Sequence, residues 1–172
     1  MADQIREALA GASAYLSANP AEARYTDSPA TAVLVEGLRV AVRGAAGETL
    51  TTDMPSSVGG GNEHPSPGWF LRAAEASCVA TLIAMRAAQL DVKLRSVEVT
   101  VDSESDDRGI LGIGDDVPAG PISTRVAARL AVDEADAESL RELVEWAVAH
   151  CPVTDAVRRA VPMAIEVDIE ST

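Results

Sequence analysis

The groups in this chain best suited to covalent chemistry are two thiols, Cys78 and Cys151, the only cysteines among 172 residues. A thiolate is a nucleophile, and its first oxidised form, the sulfenic acid, is reversible because a second thiol can convert it to a disulfide. Cys78 sits inside residues 59–85, GGGNEHPSPGWFLRAAEASCVATLIAM, where a glycine run and two prolines lead into a long apolar segment. Cys151 sits in HCPVTDAVRR, directly before Pro152. Pro152 restarts a helix, so Cys151 lies near a fresh helix N-terminus, where the dipole favours thiolate. We expect the two thiols to meet in the fold. A cysteine within an apolar helix is by default a core residue, and that reading stands beside the redox one.

Other chemistries fit less well. Zinc needs about four ligands, and the usual CxxC or HxxxH spacing is absent, which leaves His64, Cys78, His150 and Cys151 as a scattered set. The aspartates of DDRGILGIGDDVPAGP lack the spacing and terminal Glu of a calcium loop. A formal net charge of −13 with scattered basic residues opposes binding to a nucleic-acid polyanion. Aromatic residues at 3% leave few platforms for stacking bases. The first residues, MADQIREALAG, do not read as a secretory signal, and no uninterrupted apolar run approaches the ~18 residues of a membrane span. The expectation is a cytoplasmic protein, with no membrane partner, in a reducing compartment where disulfides are transient and catalytic or redox-sensing.

The elements that must position the thiols follow from periodicity. Ile5, Leu9, Ala12 and Leu16 make one stripe of a helix over 3–18, and a polar linker follows over 19–30. Residues 31–43 alternate as a strand pair split at Glu36-Gly37, and 48–54 make another strand. Residues 55–67 form a loop long enough to be functional. The segment 66–90 reads as the central helix, with Arg72, Glu75, Arg86 and Gln89 on a broken polar stripe. Leu71, Ala74, Cys78, Thr81 and Met85 share a face whose small residues admit a second element. Val97, Val99 and Val101 mark a strand over 96–103, and alternation marks another over 122–132. Asp133 is the expected cap of the next helix, whose apolar face is Leu140, Val144 and Ala147. Met163, Ile165, Val167 and Ile169 predict a last strand. Strands arriving as meanders predict an α+β fold with a mostly antiparallel sheet.

The elements PSPGWFLRAAEASC, then a strand pair, then AVAHCPV resemble the OsmC/Ohr family, the osmotically inducible and organic hydroperoxide resistance proteins. The resemblance covers about 31–170, so residues 1–30 are an N-terminal helix and linker and 31–172 an OsmC-like domain. It implies two long central helices and an intertwined homodimer with its site at the subunit interface. It also implies thiol-dependent reduction of a small-molecule hydroperoxide, with no bound cofactor. Cys78 would attack the peroxide, Cys151 would resolve the sulfenic acid as a disulfide, and an external dithiol such as a lipoyl group would re-reduce the pair. The family's active branches carry a carboxylate ten residues before the first cysteine, where this chain has Gly68, and an arginine from an early strand turn. The nearest acids are Glu63 and Glu75, and the nearest arginine is Arg39. Glu63 and Arg39 join the cysteines as candidate site residues. His150 is a candidate base only if its ring turns toward the thiol. The alternative is a non-catalytic OsmC-like dimer serving as a binding, sensor or scaffold protein.

Overall fold

The computed structural model describes residues 1–170. Its central element is α2, Pro67–Gln89. Ser66 caps it by accepting from the Trp69 amide at 3.3 Å, and Pro67 occupies the first turn, where a missing N–H costs nothing. At 23 residues, α2 is long and apolar enough to cross a membrane, which the run-length reading missed because Arg72, Glu75 and Arg86 interrupt it. Here it packs instead on other protein elements. α1 (Ala2–Ala18) lies along it, and Arg6 of α1 reaches Asp91 just beyond its end at 3.0 Å.

Two antiparallel sheets complete the α+β architecture. The first orders β1 (Ala30–Glu36), β2 (Arg39–Gly44) and β3 (Thr49–Thr52) as a meander. Its first hairpin turns at Gly37, whose φ of +56° lies in the left-handed region that favours glycine, and the register shifts between Leu34 and Glu36. The second sheet pairs β4 (Leu94–Glu104) with β5 (Ser123–Val132). Between them, in the Asp- and Gly-rich segment that lacks calcium-loop spacing, lies one helical turn, α3 (Asp107–Ile110). Next come α4 (Ala137–Ala149) and α5 (Pro152–Arg158).

The core forms where α2 meets α4 and the second sheet. Val79, Ile83 and Ala87 of α2 join Leu143, Ala147 and Cys151, with Val97, Val99, Val126 and Leu130 packed around them. Ile83 is completely buried at the centre. Ile83→Ala is expected to lower stability by about 2–5 kcal/mol through lost contacts and a residual cavity, read from the urea midpoint.

Several expectations need correction. The cap of α4 is Asp136, not Asp133: Asp136 accepts from the Ser139 amide at 2.8 Å and its hydroxyl at 2.6 Å. Asp133 instead pairs with Arg95 at 3.2 Å. Leu143, absent from the expected apolar face of α4, is its most deeply buried large side chain. Residues 163–169 form no strand: Met163, Ile165, Val167 and Ile169 are 75–85% exposed, and nothing among the described residues pairs with them. Glu75, assigned to the polar stripe of α2, is 1% exposed.

Candidate active site

Cys78 projects from the middle of α2 and is half-buried, while Cys151 caps the N-terminus of α5 and is fully buried. Pro152 starts α5, and its fixed φ lets the chain turn sharply after α4. Cys151 packs in the core cluster with Val79, Ile83 and Ala87 of α2, whereas Leu71, Ala74 and Thr81 on the face expected to admit a second element are exposed. Both cysteines are free thiols, and Cys78 packs against the core cluster that contains Cys151.

Their environments push their ionisation in opposite directions. Burial pushes the Cys78 thiol up, and its hydrogen bond to Cys151 adds to this; the Val153 amide opposes it only in part. Burial acts against ionisation of Cys151 too. There the Thr154 hydroxyl and amide, the Cys78 thiol and the Val153 amide outweigh it, and the net direction is down. The Thr154 amide donates to Cys151 Sγ at 3.4 Å, the charge-favouring contact a helix N-terminus supplies.

Sequence reasoning missed Thr154 and the role of Glu75. The Thr154 hydroxyl donates to Glu75 Oε1 at 3.0 Å, and both side chains are buried. The available signal was spacing: Glu75 lies three residues before Cys78 and Thr154 three after Cys151, and residues three apart share a helix face. Glu75 also forms part of the wall of a cleft of about 340 Å³ with Pro67, Leu71, Arg72, Ser103 and Ile110. Arg72 Nη1 donates to Ser103 Oγ at 3.3 Å across that cleft.

Arg39 and Glu63 are brought together, but with each other and not with the thiols. They form an ion pair on the first sheet and the following loop. Among the described residues, neither bonds Cys78, Cys151, Glu75 or Thr154. That loop is held by Asp53, which is 2% exposed and accepts from the amides of Met54 at 2.7 Å and of Gly61 and Glu63, each at 3.2 Å. The Glu63 amide contact draws the Asp53 carboxyl below its ordinary range most strongly, burial opposes this, and the remaining amides and Arg39 lower it further. A Cβ at Gly60 would lie 1.8 Å from the Met54 carbonyl oxygen, so this turn requires glycine there. His150 is turned away from the thiols: its Nδ1–H donates to the Trp146 carbonyl at 2.8 Å and its ring stacks on the Trp146 indole. No group of three His, Cys, Asp or Glu among the described residues could hold a metal ion.

The sequence model of the family described as OsmC-like protein matches residues 60–166. No curated protein matches the sequence. A solved OsmC-like protein of Mycoplasma pneumoniae superposes with a TM-score of 0.66 at 14% identity, covering 78% of this chain and 89% of that one. An organic hydroperoxide resistance protein of Legionella pneumophila gives 0.59 at 21% identity over 78% of this chain and 91% of its own. The organic hydroperoxide resistance protein of Bacillus subtilis gives 0.51 at 20% identity, covering 77% and 91%. Identities this low speak for a shared fold alone.

Proposed function

The chain belongs to the OsmC-like protein family, and on that premise we propose that it is a thiol-dependent peroxidase that reduces organic hydroperoxides as a cytoplasmic homodimer. The observation that carries the reading is the packing of two free thiols in one cluster, one half-buried and one capping a helix. Names of structural neighbours as hydroperoxide resistance proteins support the substrate class.

Cys78 is the thiol an oxidant can reach. Once its proton is lost to water, its thiolate sulfur attacks the terminal peroxide oxygen. The O–O bond breaks, the alkoxide takes up a proton and leaves as the alcohol, and Cys78 becomes a sulfenic acid. Cys151 then attacks the Cys78 sulfur, a disulfide forms, and the sulfenic oxygen leaves as water. An external dithiol, a lipoyl group for example, reduces the disulfide by exchange. No resident metal or prosthetic cofactor takes part.

Two copies complete the site in this reading. Every residue of β1 is exposed, including Val33, Leu34 and Val35 at 58–64%, and its outer edge is unpaired. The same chain ends in the unpaired alternating stretch 163–169. An open apolar edge and a free β-patterned segment fit strand pairing between protomers. The Arg39–Glu63 pair of one protomer would then be available to the thiols of the other.

Gly68 in the place of a carboxylate, and Arg39 tied to Glu63, favour the second reading of a non-catalytic dimeric binding, sensor or scaffold protein. Mass spectrometry after one equivalent of cumene hydroperoxide separates the two. The peroxidase reading expects rapid loss of two hydrogens, located to a Cys78–Cys151 peptide. Thiols left unmodified after exposure would end it.

A further inference from the structure

We infer that the cleft beside the first half of α2 is a binding site for a small zwitterion with an apolar body, an α-amino acid with an aliphatic side chain, held by Arg72 and Glu75. The site stands independently of the peroxidase reading, since neither Cys78 nor Cys151 lines it. α2 lines it with Leu71, Arg72 and Glu75, while β4, α3 and the chain before β5 line it with Ser103, Ile110 and Pro121. At about 340 Å³ it lies near the small end of ligand pockets, which run ~300–1,000 Å³.

A carboxyl and a guanidinium stand in this cleft without satisfying each other. Glu75 is 1% exposed, and the Thr154 hydroxyl donates to its Oε1 at 3.0 Å, which fixes the side chain. Its Oε2 takes no hydrogen bond among the described residues. Arg39 Nε is the one sealed side-chain nitrogen or oxygen there without a partner, so Glu75 Oε2 is not sealed and opens on the cleft that Glu75 lines. Arg72 Nη1 donates to Ser103 Oγ at 3.3 Å. Among the described residues Arg72 makes no ion pair, with Glu75 or with any other acid. A nearly buried carboxyl oxygen without a donor is a group that a ligand donor stabilises.

The pair of groups selects the ligand. A lone carboxylate would gain Arg72 but be repelled by Glu75, and a lone amine would gain Glu75 but be repelled by Arg72. The two residues are three apart on one helix, which sets their Cβ atoms about 5–6 Å apart, within reach of one small molecule. The ligand carboxylate takes the guanidinium donors that Ser103 leaves open, and its ammonium donates to Glu75 Oε2. The two head groups of an α-amino acid sit on one carbon, so both contacts form together. Leu71 and Ile110, which line the same cleft, are 38% and 60% exposed. An aliphatic side chain of the ligand would cover that apolar surface.

The full-length protein is titrated with L-leucine by saturation-transfer NMR. Saturable binding is expected at about millimolar concentration or below. It is expected to be at least about tenfold tighter than that of 4-methylpentanoate, which lacks the ammonium, and of 3-methylbutylamine, which lacks the carboxylate. Glycine, without the apolar body, is expected to bind about tenfold more weakly or worse. Arg72→Met and Glu75→Gln are each expected to weaken leucine binding about tenfold or more, and Glu75→Gln keeps an acceptor for the Thr154 hydroxyl. Arg129→Met, remote from the cleft lining, is expected to leave it unchanged. Leucine that shows no saturation up to about 10 mM overturns the inference. So does equal binding by glycine or by either single-charge analogue, or unchanged leucine binding in Arg72→Met or Glu75→Gln. The ligand series uses the unaltered protein, so it decides the matter even where a variant fails to fold. Thiols that ignore hydroperoxide would end the peroxidase reading and leave this titration unaffected.

Discussion

Cys78→Ser is expected to reduce dithiol-driven turnover of cumene hydroperoxide by about three orders of magnitude or more, because the attacking sulfur is gone and a hydroxyl is a far weaker nucleophile at neutral pH. Cys151→Ser is expected to behave differently. Cys78 remains half-buried and reachable, so the first reduction proceeds, but the sulfenic acid has no resolving partner. One equivalent of alcohol should form and turnover should then stop, with sulfenic acid followed by sulfinic acid at Cys78 in the mass spectrum. Cys78→Ser turning over at the wild-type rate would remove Cys78 from the mechanism. Sustained turnover in Cys151→Ser would remove the resolving role of Cys151 and leave the attack intact.

Light scattering is expected to give twice the 17.9 kDa chain mass. The apolar residues of β1 and of 163–169 are too exposed, and too regular in spacing, for a free surface. Leu34→Asp discriminates sharply. Leu34 is 64% exposed, so in a monomer this change would alter stability by only about 0.5 kcal/mol. At a dimer interface, it buries an unpaired charge and should shift the protein to monomer, with loss of peroxidase turnover. Val167→Asp should do the same from the other side of the pairing. A wild-type protein that stays monomeric at micromolar concentration, or a Leu34→Asp protein that stays dimeric, would refute the strand-pairing arrangement.

Much of the fold is legible in local spacing. The residues that start α2, the split of the first hairpin at Gly37 and the restart of the chain at Pro152 depend on neighbours a few positions away. Where two local signals competed, sequence alone chose wrongly. Asp133 and Asp136 can each cap a helix, and the choice falls to where the axis of α4 must lie for Leu143 and Ala147 to reach α2. The alternation at 163–169 is real, but a strand needs a partner edge, and none among the described residues supplies one.

For the site, the sequence by itself determined that two thiols carry the available chemistry, that one lies on a small-residue helix face and that the other starts a helix. These are consequences of backbone periods of 3.6 and 2 residues and of proline's missing N–H. Only the tertiary structure decided that Glu75 faces inward to Thr154, that Cys151 and not Cys78 is the more readily ionised sulfur, and that Arg39 is held by Glu63. Those outcomes depend on which groups lose water together when α2, α4 and α5 close around one core. Desolvation and hydrogen-bond partners are properties of a packed neighbourhood, and no spacing along the chain encodes them.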